Sequence, residues 1–151
     1  MFVRLAIRLI MFPLNIKGGM SVSIVHVVYD ALYLIFPAYC ANAAPVIFGG
    51  GRPIDAGRTF LDGRPIFGSR KTFRGFFAGL IIGTFVGFLQ NNLLLGFMLS
   101  LGALVGDLTE SFIKRRLGFL PGTSFPVADQ LDFIVGSILF SLLVSQPSLT
   151  P

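Results

Sequence analysis

Apolar residues run along this chain in four blocks, at roughly 22–47, 75–89, 93–105 and 133–144, separated by connections rich in Gly, Pro and Arg. The first block carries His26, Asp30 and Asn42 inside it. No block alternates apolar and polar residues as a membrane barrel strand would. The last three blocks are short against the ~20 residues that cross a bilayer, and each gains a turn or two by taking in its polar flank. In lipid, an open chain satisfies its backbone only as helix. The pattern therefore predicts an all-α integral membrane protein, a polytopic bundle of about four to five transmembrane helices. Gly75, Gly79, Gly83 and Gly87 recur every fourth residue, and Gly102 and Gly106 repeat the spacing. Small residues at this period let helix backbones approach closely, so these glycines are expected to pack helices rather than touch a substrate. Residues 1–19 are apolar with Arg4, Arg8 and Lys17 spaced through them. They are expected to form an N-terminal extension, either interfacial or an additional helix, with residues 20–151 as the membrane-embedded domain.

Composition agrees with the pattern. Hydrophobic residues make up 54% of the chain and charged residues 13%, with a mean hydropathy of +0.81, whereas a soluble domain is about a quarter charged. A single cysteine, Cys40, excludes an internal disulfide framework, and no Cys/His cluster suggests zinc. The net charge of +5 raises nucleic acid as a partner. The basic residues lie in connections between apolar blocks, however, so anionic lipid or nucleotide phosphate is expected instead, with no nucleic acid. Arg52, Arg58, Arg64, Arg70, Lys71 and Arg74 fall in the 49–74 connection, and Lys114, Arg115 and Arg116 follow the third block. One hairpin, turning near residues 90–92, separates the two basic connections, which puts them on one side. The positive-inside rule makes that side cytoplasmic, so the expected location is the cell membrane, multi-pass, with the site facing the cytoplasm.

The densest chemistry lies in residues 106–132, GDLTESFIKRRLGFLPGTSFPVADQLD. Asp107, Glu110, Ser111 and Lys114 fall at i, i+3, i+4 and i+7, one helical face. Asp129 and Asp132 sit three apart at the start of the next apolar run. Carboxylates at a membrane boundary are costly, and acids kept there usually have a task. Carboxylates from two helices, flanked by Lys and Arg, suit a Mg²⁺-bound polyphosphate: hard oxygens hold the metal and cations neutralise phosphate. The bland alternative is a set of ion-paired or snorkelling residues at a helix end. Ser111 has no nearby His to activate it as a nucleophile, so a hydroxyl that helps bind phosphate is the expected role. The 49–74 connection is long for an idle loop, and its Gly and Arg residues suit phosphate, although orientation alone would select the same basic loop. His26 and Asp30, at i and i+4, form either a structural pair or part of a polar cavity.

At these residues a family resemblance appears. The run from Gly106 to Arg115 resembles the signature of the CTP-dependent phosphatidate cytidylyltransferases, the CDP-diacylglycerol synthases, and Asp129-Gln130-Leu131-Asp132 resembles their second Asp-Arg-x-Asp element. Upstream, Ser69-Arg70-Lys71-Thr72-Phe73-Arg74-Gly75 is similar to the family's Ser-Pro-Lys-Lys-Thr-Trp-Glu-Gly. Gln130 replaces an Arg, Phe125-Pro126-Val127 replaces a His-Gly-Gly turn, and the chain is short for a phosphatidate enzyme. These departures, with Ala41-Asn42-Ala43-Ala44-Pro45-Val46 and the Asp62-Gly63-Arg64 loop, look more like the archaeal branch, the CDP-archaeol synthases. The resemblance covers roughly residues 20–146.

It implies transfer of CMP from CTP to unsaturated archaetidic acid, digeranylgeranylglyceryl phosphate, with Mg²⁺ as cofactor and release of pyrophosphate. It further implies Asp107, Asp129 and Asp132 as metal ligands and catalytic residues, with Lys114 among the catalytic groups. Ser69, Lys71, Thr72, Arg74, Ser111 and Arg115 would bind the nucleotide. Two other readings stay open on the residues alone. A CTP-dependent polyprenol kinase would yield phospholipid and CDP. A small transporter subunit would show ion flux without nucleotide, although no inverted repeat or midplane acid cluster favours it.

Overall fold

The structure, a computed structural model, describes residues 24–120 and 128–144; the expected extension at 1–19 lies outside them. Among the described residues the chain forms four helices: α1 (Ile24–Phe48), α2 (Phe73–Leu89), α3 (Leu93–Arg116) and α4 (Ala128–Val144). α1 is 25 residues long and α3 is 24, about 36–38 Å each at 1.5 Å per residue and enough to cross the ~30 Å hydrocarbon layer. α2 and α4 have 17 residues each. α1 packs mainly on α2 and α3 mainly on α4, with α2–α3 and α1–α3 contacts joining the pairs.

The distribution of side-chain size is inverted relative to a soluble bundle. Small residues predominate in the interior, Ala38, Ala41, Ala44, Ser100, Ala103, Ser137 and Ser141, with Leu99, Leu104 and Phe133 as the large apolar side chains buried among them. Along α2, Gly75, Gly79, Gly83 and Gly87 are buried, while Phe73, Phe77, Ile81, Phe85 and Phe88 face outward. Lipid is as apolar as leucine, so bulk gains little by turning inward, and close backbone approach becomes the source of packing energy. A Cβ at Gly79 would meet the Ala41 carbonyl oxygen at 2.5 Å, and one at Gly83 would meet the Pro37 carbonyl at 2.7 Å. Gly87 and Gly96 abut each other between α2 and α3. Gly102 and Gly106 lie against the backbone of Gly136 and Asp132 in α4. The glycine repeat is a packing device, as its spacing predicts.

Two prolines, Pro37 and Pro45, lie inside α1. Each removes the N–H that would bond the carbonyl four residues earlier. The Tyr33 carbonyl freed by Pro37 accepts from the Gln90 side chain at 2.6 Å, which ties α1 to the α2–α3 turn. That turn is tight: Asn91 takes φ 59°, and the Asn92 side chain caps α3 by accepting from the Leu95 N–H at 3.2 Å.

At the other end of the bundle, residues 49–72 fold back on themselves through isolated antiparallel bridges, Pro53 with Thr72 and Thr59 with Pro65. The loop is clamped to the end of α3. Arg64 donates to the Arg115 and Arg116 carbonyls at 3.3 and 2.5 Å, satisfying acceptors that a helix C-terminus leaves open. Arg116 pairs with Asp62 at 2.7 Å and lies 4.9 Å from the ring centres of both Phe60 and Phe112. Both basic connections thus meet at one end of the bundle.

Candidate active site

Between this loop, the C-terminal turns of α3 and the C-terminal turns of α1 at Asn42, Pro45 and Val46 lies a cavity of about 650 Å³. Its formation follows from the length of α3. The apolar part of α3 ends near residue 105, and the further 11 residues continue the helix as an amphipathic face beside the loop. Gly106 lets α4 approach there, because any Cβ would collide with the Asp132 backbone. This contact brings acids from two helices together. Asp107, Glu110 and Asp132 each offer a carboxylate oxygen, and these oxygens lie within 4.8 Å of one another.

The cations interleave with this group. Lys71 reaches both Asp107 oxygens at 2.6 Å. Lys114 pairs with Glu110 one turn away at 2.6 Å and with Asp129 at the start of α4. Arg115 is only 4% exposed and lines the cavity, and among the described residues its Nε and Nη1 have no hydrogen-bond partner. Guanidinium N–H groups are costly to bury unpaired, so this side chain is held ready for an anion. Asp132 Oδ1 accepts from the Phe133 N–H at 2.6 Å, while Oδ2 is buried without a hydrogen-bond partner among the described residues.

The residues singled out in the sequence separate into groups. Ser69, Lys71, Thr72, Ser111, Lys114, Arg115, Asp107 and Asp129 line the cavity. Asp132 does not itself line the cavity but belongs to the carboxylate group with Asp107 and Glu110, which do. Asp129 is engaged by Lys114, and Glu110 takes the third position beside Asp107 and Asp132. Thr72 is buried, and its hydroxyl accepts from the Gly75 N–H at 3.2 Å as the cap of α2. Arg74 is exposed and does not line the cavity. His26 and Asp30 are exposed on α1 and do not line it either. Asp30 lies 12 residues before Asn42, about 18 Å along the helix.

The cavity also holds polar residues to which the sequence pattern assigns no individual role, among them Glu110, Asn42 and Arg70. Glu110 belongs to the four acids that the sequence clusters at two helix ends, and its i, i+3 spacing from Asp107 carries the signal for a ligand position of its own. Asn42 lines the cavity from α1, and a lone amide inside an apolar run was the available clue.

Known proteins of similar sequence and fold place the chain in a family. Residues 24–149 match the family described as CarS-like, CDP-archaeol synthase. The CDP-archaeol synthase of Pyrococcus furiosus is 46% identical over 127 residues, covering 77% of this chain and 76% of its own. That of Methanocaldococcus jannaschii is 41% identical, covering 78% and 77%, and that of Thermococcus gammatolerans is 50% identical, covering 74% and 72%. A solved structure described as an intramembrane enzyme for archaeal membrane lipids biosynthesis aligns with a TM-score of 0.71 and 39% identity, over 77% of this chain and 78% of that one.

The inverted bundle and its acidic, cation-lined cavity define an integral membrane transferase of lipid biosynthesis. Within that class, the chain belongs to the CDP-archaeol synthase family and is an enzyme, a cytidylyltransferase.

Proposed function

We propose that the protein transfers CMP from CTP to a membrane lipid phosphate, unsaturated archaetidic acid, forming CDP-archaeol and pyrophosphate, and that the site faces the cytoplasm. The observation that carries this reading is the cavity itself: three clustered carboxylates beside Lys71, Lys114 and a buried Arg115 with unsatisfied N–H groups.

The donor set fits Mg²⁺. It consists of hard carboxylate oxygens, and Asp132 Oδ2 is buried with no hydrogen-bond partner among the described residues. Asp107, Glu110 and Asp132 would hold the ion, with Asp129 one helical turn away orienting Lys114. When bound, the metal supplies charge neutralisation along the triphosphate.

An oxygen of the lipid phosphate attacks the α-phosphorus of CTP, the bond from that phosphorus to the bridging oxygen breaks, and pyrophosphate leaves. A phosphate monoester is already nucleophilic, so the protein needs no strong base. Its work is positioning and electrostatic stabilisation. Lys71 and Arg115 hold phosphate oxygens, and Lys114 sits between Glu110 and Asp129 with its ammonium at the cavity wall. Ser69 and Ser111 offer hydroxyls to phosphate. The outward-facing apolar surface of the helices lets isoprenoid tails remain in lipid while the headgroup reaches the cavity.

The test is incubation of the purified protein with radiolabelled CTP, Mg²⁺ and, in turn, archaetidic acid, phosphatidic acid and a polyprenol. CDP-lipid and pyrophosphate are expected, with archaetidic acid the preferred acceptor. Phospholipid and CDP would make it a kinase instead.

A further inference from the structure

We propose that Asp55 is a positioning residue for the nucleotide site: its carboxylate holds the 49–72 loop in the one fold that presents Lys71 to the cavity. The inference rests on the reading of Lys71 as a phosphate ligand. Residues 56–65 around it are exposed, yet Asp55 is only 6% exposed. Among the described residues no Lys or Arg pairs with it. Its charge is met by backbone alone: Oδ1 accepts from the Gly57 N–H at 3.0 Å, and Oδ2 accepts from Phe67 at 3.1 Å and Gly68 at 2.8 Å. The turn that lets Gly57 reach back puts Ala56 at φ 50°, a conformation rare for alanine and maintained only where surrounding bonds hold it.

The bonds continue from Asp55 to Lys71. Gly68, held by Oδ2, accepts from the Lys71 N–H at 3.2 Å, and the Lys71 carbonyl accepts from the Ile54 N–H at 2.8 Å. Ile54 is covalently joined to Asp55, so the circuit closes. Both backbone polar groups of Lys71 are thereby anchored, and Ile54, Phe67 and Lys71 line the cavity together. Lys71 and its neighbour Arg70 are the cavity cations carried on the loop, whereas Lys114 and Arg115 are carried on α3, so the placement of Lys71 depends more than theirs on such a brace.

Asparagine at position 55 keeps the shape but has one acceptor oxygen, so its amide N–H₂ must face N–H donors on one side. Steady-state kinetics should be measured for Asp55→Asn, Lys71→Ala and the double variant, varying CTP and lipid phosphate separately, with melting temperature in detergent as a check of folding. Asp55→Asn is expected to raise the KM for CTP about tenfold, since an ångström of misplacement can cost about a hundredfold. The KM for the lipid acceptor should stay unchanged and the melting temperature should fall only slightly. On the Lys71→Ala background, Asp55→Asn should add no further rise. Independent, multiplying effects, or a lowered melting temperature with an unchanged KM for CTP, would reduce Asp55 to a structural role and overturn the inference. Lys71→Ala at wild-type KM for CTP would instead overturn the reading of Lys71, and this inference with it. Should Asp55→Asn fail to fold, Asp55→Glu, which keeps the charge but shifts it by a methylene, decides: an unchanged KM for CTP there overturns the proposal.

Discussion

At the scale of single residues, the site is a balance of carboxylates and cations that pair with one another. Asp107→Asn, Glu110→Gln and Asp132→Asn each remove charge without volume from the clustered group. Each is expected to abolish nearly all turnover while the protein stays folded in detergent, whereas Asp129→Asn, whose carboxylate serves Lys114, should be milder. Equal losses at all four positions in a CTP turnover assay would count against the assignment of Glu110 over Asp129. Arg115→Ala should lower kcat/KM for CTP about tenfold to a hundredfold, because hydrogen bonds to charged groups contribute ~1.5–3 kcal/mol and 1.36 kcal/mol is a factor of ten. The ranking of lipid acceptors by tail should not change. The pH dependence of stability belongs at this scale too. Burial alone would raise the Asp55 pKa, but the N–H groups of Gly68, Gly57 and Phe67 favour the charged form and bring it below the ordinary 3.8. A carboxyl depressed in the folded state stabilises the fold above about pH 4, and that contribution is lost as pH falls through the depressed value. Melting temperatures of wild type and Asp55→Asn should therefore differ at neutral pH and converge in acid; a constant gap from pH 7 downward would contradict this. The acids and cations were legible in the sequence because charge is conspicuous in an apolar chain. Asp55 was not, since a loop aspartate reads as solvated until its three backbone donors are seen.

At the scale of helices, the apolar blocks located the four elements, and the polar flanks extended them as expected: the block at 93–105 became α3 through Arg116, and that at 133–144 became α4 from Ala128. The flanks fold as helix because Thr72 caps α2, and because α3 continues past its apolar part with Lys114, Arg115 and Arg116 in its last turn, where cations favour the helix dipole. The glycine period forecast close packing but not which helix each glycine meets. Gly102→Leu places a side chain into the Gly136 backbone and is expected to destabilise the protein by ~1–3 kcal/mol or more, since overpacking forces backbone shifts. The lipid-facing Ile81→Ala, 67% exposed in the native protein, should be close to neutral. Thermal unfolding of the two variants in matched detergent separates the cases, and equal losses would refute the inverted packing.

At the scale of the whole molecule, the two basic connections meet at one end of the bundle through the Arg64 and Arg116 clamp, and the 90–92 turn stands at the other. In a Cys40→Ala background, Leu61→Cys in the loop should react with an impermeant thiol reagent only from the cytoplasmic side, and Asn91→Cys only from outside. Reaction of both from the same side would overturn the topology. Sequence by itself determined the membrane class, the helical architecture, the one-sided placement of charge and most of the cavity residues, because hydrophobic run length and charge are local properties that the bilayer reads segment by segment. Tertiary structure alone decided which acids share a site. The approach of α4 to Gly106 sets Glu110 rather than Asp129 beside Asp107 and Asp132, the Thr72 hydroxyl is committed to a helix cap, and Arg74 is exposed and outside the cavity lining while Asn42 joins it. Such choices depend on the rotation and spacing of helices packed through glycine, where a single Cβ displaces a whole face, and no periodicity within one segment encodes that.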